Sequence, residues 1–75
     1  MKKRYEVLEN GILYPHNSFE KNREGLAQAY EQAEQIMLDR GDDLDILEIQ
    51  STTYDSTEKI VNCELVEDFT LTLYI

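Results

Sequence analysis

Asn22-Arg23-Glu24-Gly25-Leu26-Ala27-Gln28-Ala29-Tyr30-Glu31-Gln32-Ala33-Glu34-Gln35-Ile36-Met37-Leu38-Asp39-Arg40-Gly41 is the stretch whose reading decides the fold. Leu26, Ala29, Tyr30, Ala33, Ile36 and Met37 recur at the spacing of one helical face. Gln28, Glu31, Gln32, Glu34 and Gln35 take the other side. Asn22 can cap the start, because its side-chain oxygen accepts an orphan backbone N–H. An earlier start at Asn17, with Glu20 completing a capping box, is the alternative. Gly25 weakens an interior turn and so favours the later start. Arg40 suits the negative end of the helix dipole, and Gly41 can take a left-handed closing conformation.

On the N-terminal side, Lys3 to Glu9 reads as a strand, with Tyr5 and Val7 on one face and Glu6 and Leu8 on the other. Asn10-Gly11 supplies the two positive-φ residues of a type I′ hairpin turn. Ile12-Leu13-Tyr14 starts the return strand. Pro15, which lacks a backbone donor, marks an edge strand or the end of pairing. Beyond Gly41 the period drops to two. Leu44 to Thr53 is a candidate strand, with Leu47 and Ile49 on one face and Ile46 on the other. Tyr54-Asp55-Ser56-Thr57 reads as a turn. Lys59 to Val66 follows as a strand, with Val61, Cys63 and Leu65 on its apolar side. Glu67-Asp68 reads as a tight connection. Phe69, Leu71, Leu73 and Ile75 then alternate with Thr70, Thr72 and Tyr74.

The expected order is therefore ββαβββ, an α+β fold in one domain spanning residues 1–75. One amphipathic helix packs on an antiparallel sheet in two layers. Leu26, Tyr30, Ala33 and Met37 are expected to bury against Val7, Leu47, Cys63, Leu71 and Leu73. The last strand, if it lies at an edge, offers a site for a second subunit.

Composition narrows the function. The 75 residues hold 16 acidic and 7 basic side chains, a net charge of −9, with 41% hydrophobic residues. That is too apolar for a disordered acidic tail. No apolar run approaches the ~20 residues of a membrane-spanning helix. Lys2-Lys3-Arg4 leads into Tyr5-Glu6-Val7 rather than an apolar signal core, which points to the cytoplasm. The charge is uneven. From Glu24 onward there are 13 acidic residues against Arg40 and Lys59, a net of −11. Direct binding of nucleic acid is disfavoured, since a phosphate backbone needs clustered Lys and Arg.

Catalytic chemistry finds few groups. His16 is the lone histidine and follows Pro15 in an expected loop. Cys63 is the lone thiol, expected in the core. Asp39, Asp42, Asp43, Asp45 and Glu48 form the tightest carboxylate cluster, but the calcium-loop template aligned at Asp39 puts Leu44 at its glycine and Gln50 at its bidentate glutamate. The glycines at 11, 25 and 41 are isolated, so there is no phosphate loop. No cofactor, metal or enzyme activity is expected.

What stands out is the acidic surface. Carboxylates can occupy arginine and lysine sites that otherwise hold phosphates. Glu31, Glu34, Asp39, Asp42, Asp43 and Asp45 are the expected contacts with a basic partner, and Tyr54 an apolar anchor beside them. The Tyr5-Glu6-Val7-Leu8-Glu9-Asn10-Gly11 hairpin, the single helix and the acidic 39–48 segment together resemble small phage-encoded accessory proteins of the anti-CRISPR inhibitor type. That resemblance implies an inhibitor acting in the host cytoplasm. It would block a basic nucleic-acid-binding site on a nuclease or other nucleic-acid-binding protein by charge mimicry. The alternative is a structural domain that self-assembles into a homodimer through an edge strand.

Overall fold

Asn10 (φ 54°) and Gly11 (φ 78°) both adopt positive φ and close the first hairpin, as a two-residue turn of this kind requires. In the structure, a computed structural model that describes residues 1–70, this hairpin joins β1 (Lys2–Glu9) to β2 (Ile12–Glu20). The helix α1 (Arg23–Arg40), a 3-10 turn at Gly41–Asp43, β3 (Leu47–Tyr54) and β4 (Ile60–Asp68) follow. The described residues form an α+β fold, one α-helix with a four-stranded antiparallel sheet in the order β2-β1-β3-β4. The expected fifth strand begins at Phe69, and its Leu71, Thr72, Leu73, Tyr74 and Ile75 lie outside the described residues.

Helix α1 starts where the later of the two expected caps placed it. Asn22 has extended backbone, and its Oδ1 accepts from Gly25 N at 2.7 Å. Gly25 itself is required rather than tolerated. A Cβ there would stand 1.7 Å from the Glu20 carbonyl oxygen. At the other end the expected left-handed closure does not occur. Gly41 is right-handed helical (φ −49°, ψ −39°), and its N–H bonds Met37 O. The chain then tightens into the 3-10 turn, an ordinary way to satisfy terminal carbonyls.

Ala29, Ala33 and Ile36 meet Val7, Leu44, Leu47 and Ile49 in the core. The two alanines let the helix backbone approach the sheet closely. Each large aliphatic side chain so enclosed contributes about 1.5–3 kcal/mol. Tyr5 and Val7 face α1 as expected, and the register Tyr5↔Ser51, Val7↔Ile49, Glu9↔Leu47 carries that face into β3. Leu26 and Met37 are only half-buried. Tyr30, expected in the core, is 38% exposed and packs edge-on against Phe69 (5.9 Å, 82°). Cys63 is also a correction, since it is exposed. The cause is topological. Helix α1 packs on β1, β2 and β3, and every residue of β4 is left exposed.

Element boundaries also differ from expectation, and Tyr54, expected in the turn, is the last residue of β3. β2 runs through Pro15 to Glu20, because it is a sheet edge and because a bulge absorbs the proline: between Leu8↔Leu13 and Glu6↔Ser18, Val7 faces the 14–17 stretch. His16 therefore sits on that bulge, stacked on Tyr14 at 5.9 Å, rather than in a loop. β3 begins at Leu47 rather than Leu44, although Leu44 still reaches the core. Glu67 and Asp68 belong to β4 and are not a turn.

Candidate acidic interface

Two of the expected contacts, Glu31 and Glu34, lie exposed on α1, one turn apart, and Asp39 follows near its end. Asp42 and Asp43 occupy the 3-10 turn, and Asp45 the short link to β3; all are exposed. At 1.5 Å per helical residue, Glu31 to Asp39 spans about 12 Å along α1. Among the described residues the one ion pair joins Arg40 to Glu9, so none of these six carboxylates is paired with a cation. Asp39 Oδ1 accepts only from Gln35 Nε2 at 3.0 Å.

The strip is anchored at both ends. Asn10, at the hairpin tip, accepts through Oδ1 from Asp45 N (2.8 Å) and Ile46 N (3.1 Å). Its own N–H bonds Ile46 O at 2.8 Å. Beneath the helix runs a buried polar chain. Arg40 pairs with Glu9, Asn17 Nδ2 donates to Glu9 Oε2 at 2.6 Å, and Gln32 Nε2 donates to Asn17 Oδ1 at 2.9 Å. Glu9 is 4% and Asn17 0% exposed. Buried polar groups cost free energy unless bonded, and here each one is bonded. This chain explains Arg40 better than the helix dipole does. Its signal was present in the sequence: Glu9 sits two residues after Val7 on the apolar face of β1, where a carboxylate demands a partner.

Tyr54 does not join the strip. It lies seven residues along β3 from Leu47, about 23 Å at ~3.3 Å per residue, and on the sheet face opposite α1. There its hydroxyl donates to Glu6. Burial first, then the Glu6 hydrogen bond, push its pKa up to about 12. Lys2, Arg4, Glu6, Ser18 and Tyr54 border a shallow hollow of about 410 Å³. Arg4 is held there by Ser18, with Nε to Oγ and Nη2 to the carbonyl oxygen both at 2.9 Å. Leu38, by contrast, is a large apolar side chain that stands 76% exposed on α1 between Glu34 and Asp39. It stands off the helix's apolar stripe, which was the available clue.

Other titratable groups make local hydrogen bonds. Asp55 Oδ1 accepts from Thr57 Oγ1 (2.7 Å), Thr57 N (2.8 Å) and Lys59 N (3.0 Å), closing the β3–β4 turn and lowering the Asp55 pKa. Burial, together with the neighbouring Glu67 carboxylate, raises the Tyr30 pKa. Cys63 Sγ donates to Gln50 Oε1 at 2.8 Å. Among the described residues, no three of His, Cys, Asp and Glu converge in a way that would hold a metal ion. No helix there is long and apolar enough to cross a membrane. No family model, curated protein or solved structure matches the chain.

Proposed function

We propose that the chain is an acidic protein-binding module of the phage inhibitor type, anti-CRISPR-like in action. It would block a basic nucleic-acid-binding site, on a nuclease or another nucleic-acid-binding protein, by charge mimicry. The observation that carries this reading is the unpaired acidic strip on a firmly tethered helix end, with Leu38 exposed inside it. Carboxylates held without internal cations keep their full attraction for arginine and lysine, and their fixed spacing lowers the ordering cost of binding. The contacts are Glu31, Glu34, Asp39, Asp42, Asp43 and Asp45, with Leu38 in place of Tyr54 as the anchor. The reading takes the body as two layers, supported by the meeting of Ala29, Ala33 and Ile36 with the sheet, and the site of action as the cytoplasm of a host cell.

The test uses the immobilised protein to retain partners from a bacterial lysate at low salt. Duplex DNA is then added as competitor. A retained nucleic-acid-binding protein that DNA displaces, and that the Glu31→Lys/Glu34→Lys variant fails to hold, supports the proposal. Retention of no such protein, or retention indifferent to both DNA and charge reversal, overturns it.

A further inference from the structure

The acidic strip leaves one large feature unused. Among the described residues, β4 is a sheet edge, with no strand beyond it on the side away from β3. Ile60 is 62%, Val61 51% and Leu65 57% exposed along it. The opposite edge, β2, is blunted by Pro15 and a long bulge. β4 also has two extra residues against β3, Val61 and Val66. Bulges usually protect an edge, but these carry exposed valines instead of charges, so they enlarge the apolar surface.

The sequence along this edge is self-complementary. In antiparallel pairing about a two-fold axis normal to the sheet, one residue must lie opposite itself. Centred on Cys63, the pairing sets Asn62 opposite Glu64, Val61 opposite Leu65 and Ile60 opposite Val66 of the second copy. Lys59 then meets Glu67 of the second copy, so the cation nearest β4 meets an anion twice, once in each direction. Centring on Glu64 fails, because Glu64 faces itself, Ile60 faces Asp68 and Val61 faces Glu67. Centring on Asn62 sets Lys59 against Leu65 and Ile60 against Glu64. Apolar and opposite-charge pairs across strands stabilise a sheet, whereas like charges directly opposite destabilise it.

We propose that β4 pairs antiparallel with β4 of a second copy in the register centred on Cys63, making one continuous eight-stranded sheet. The acidic strip lies at the helix side of each protomer and takes no part in the pairing. Two molecules of charge −9 repel, so added salt strengthens this dimer, whereas it weakens capture of a basic partner. The two proposals therefore answer to salt with opposite sign.

Sedimentation equilibrium from 1 to 200 µM, at low and high salt, measures the dimer. Leu65→Lys, a change at an exposed position, is expected to abolish it. Lys59→Glu is expected to raise the dissociation constant on the order of tenfold, since two exposed charge pairs turn repulsive. Adding Glu67→Lys to Lys59→Glu is expected to restore it. Diamide, as added oxidant, is expected to join the two Cys63 thiols through a disulfide, with diamide taking up the two electrons and two protons. A monomer at every concentration overturns the proposal. So does a dimer that survives Leu65→Lys, or one that the double charge swap does not restore.

Discussion

Gly25→Ala and Gly41→Ala are the same chemical change, made at the third residue of α1 and just past its end, and they are expected to act with opposite sign. Alanine gains about 1 kcal/mol over glycine in a helix interior, from backbone entropy alone. At Gly41 that gain stands nearly whole, because the backbone is already right-handed helical and no heavy atom lies within 4 Å of the added Cβ. The expected result is about 0.5–1 kcal/mol of added stability. At Gly25 the Cβ would stand 1.7 Å from Glu20 O, so the backbone must part by at least 1.3 Å to reach even a 3.0 Å contact. That movement disturbs the Asn22 N–H to Glu20 O bond and the Asn22 cap on Gly25 N. Loss of the cap costs about 1 kcal/mol, and backbone strain about 1–3 kcal/mol. Less the propensity gain, the net loss is about 1–3 kcal/mol. Total stability for a chain of this size is about 4–11 kcal/mol. Urea unfolding followed by circular dichroism reads both variants through the midpoint, provided the slope is unchanged. A Gly25→Ala protein as stable as the parent, or a destabilised Gly41→Ala protein, would refute the argument.

Other consequences are as direct. Because folding raises the Tyr54 pKa to about 12, its contribution to stability is complete below the unfolded value of about 10 and is lost as pH climbs through the folded one. Ultraviolet titration should show a late phenolate step that Tyr54→Phe removes. Asp55 has a lowered pKa, so its contribution is present above the unfolded carboxylate range and fades as pH falls through the folded value; Asp55→Ala should flatten the acid limb of the stability curve. Asn10→Gly keeps the positive φ but deletes the side-chain tether. Amide hydrogen exchange should then quicken at Asp45 and Ile46 while the hairpin persists.

Local chemistry was readable from the residues alone. Asn10-Gly11 can hardly do anything but turn a hairpin, and Asn22 caps α1 through a bond to a residue three positions away. The alternation of Tyr5 and Val7 gave the right face of β1. What depended on distant geometry was less accessible. Cys63 and Val61 alternate like any buried strand, and nothing within β4 says that α1 stops short of it. Tyr30 looks like a core residue by spacing, yet the close approach permitted by Ala29 and Ala33 turns it to the margin. Of the candidate acidic strip, the six exposed carboxylates could be named because charge is a property of sequence. Their tether at Asn10 and the displacement of Tyr54 to the opposite face arise from pairings 35 and 48 residues apart.

The seam between β1 and β3 runs unbroken from Lys2↔Tyr54 to Glu9↔Leu47, and it is where two locally closed hairpins become one body. Each hairpin can form from near neighbours, whereas joining them requires closure of a loop through the whole of α1. Docking of the halves is therefore the expected slow event in folding. A chain cleaved between Asp43 and Asp45 should yield two pieces that each keep a complete hairpin. Mixing them should regenerate the native circular dichroism spectrum at a rate that rises with their concentration.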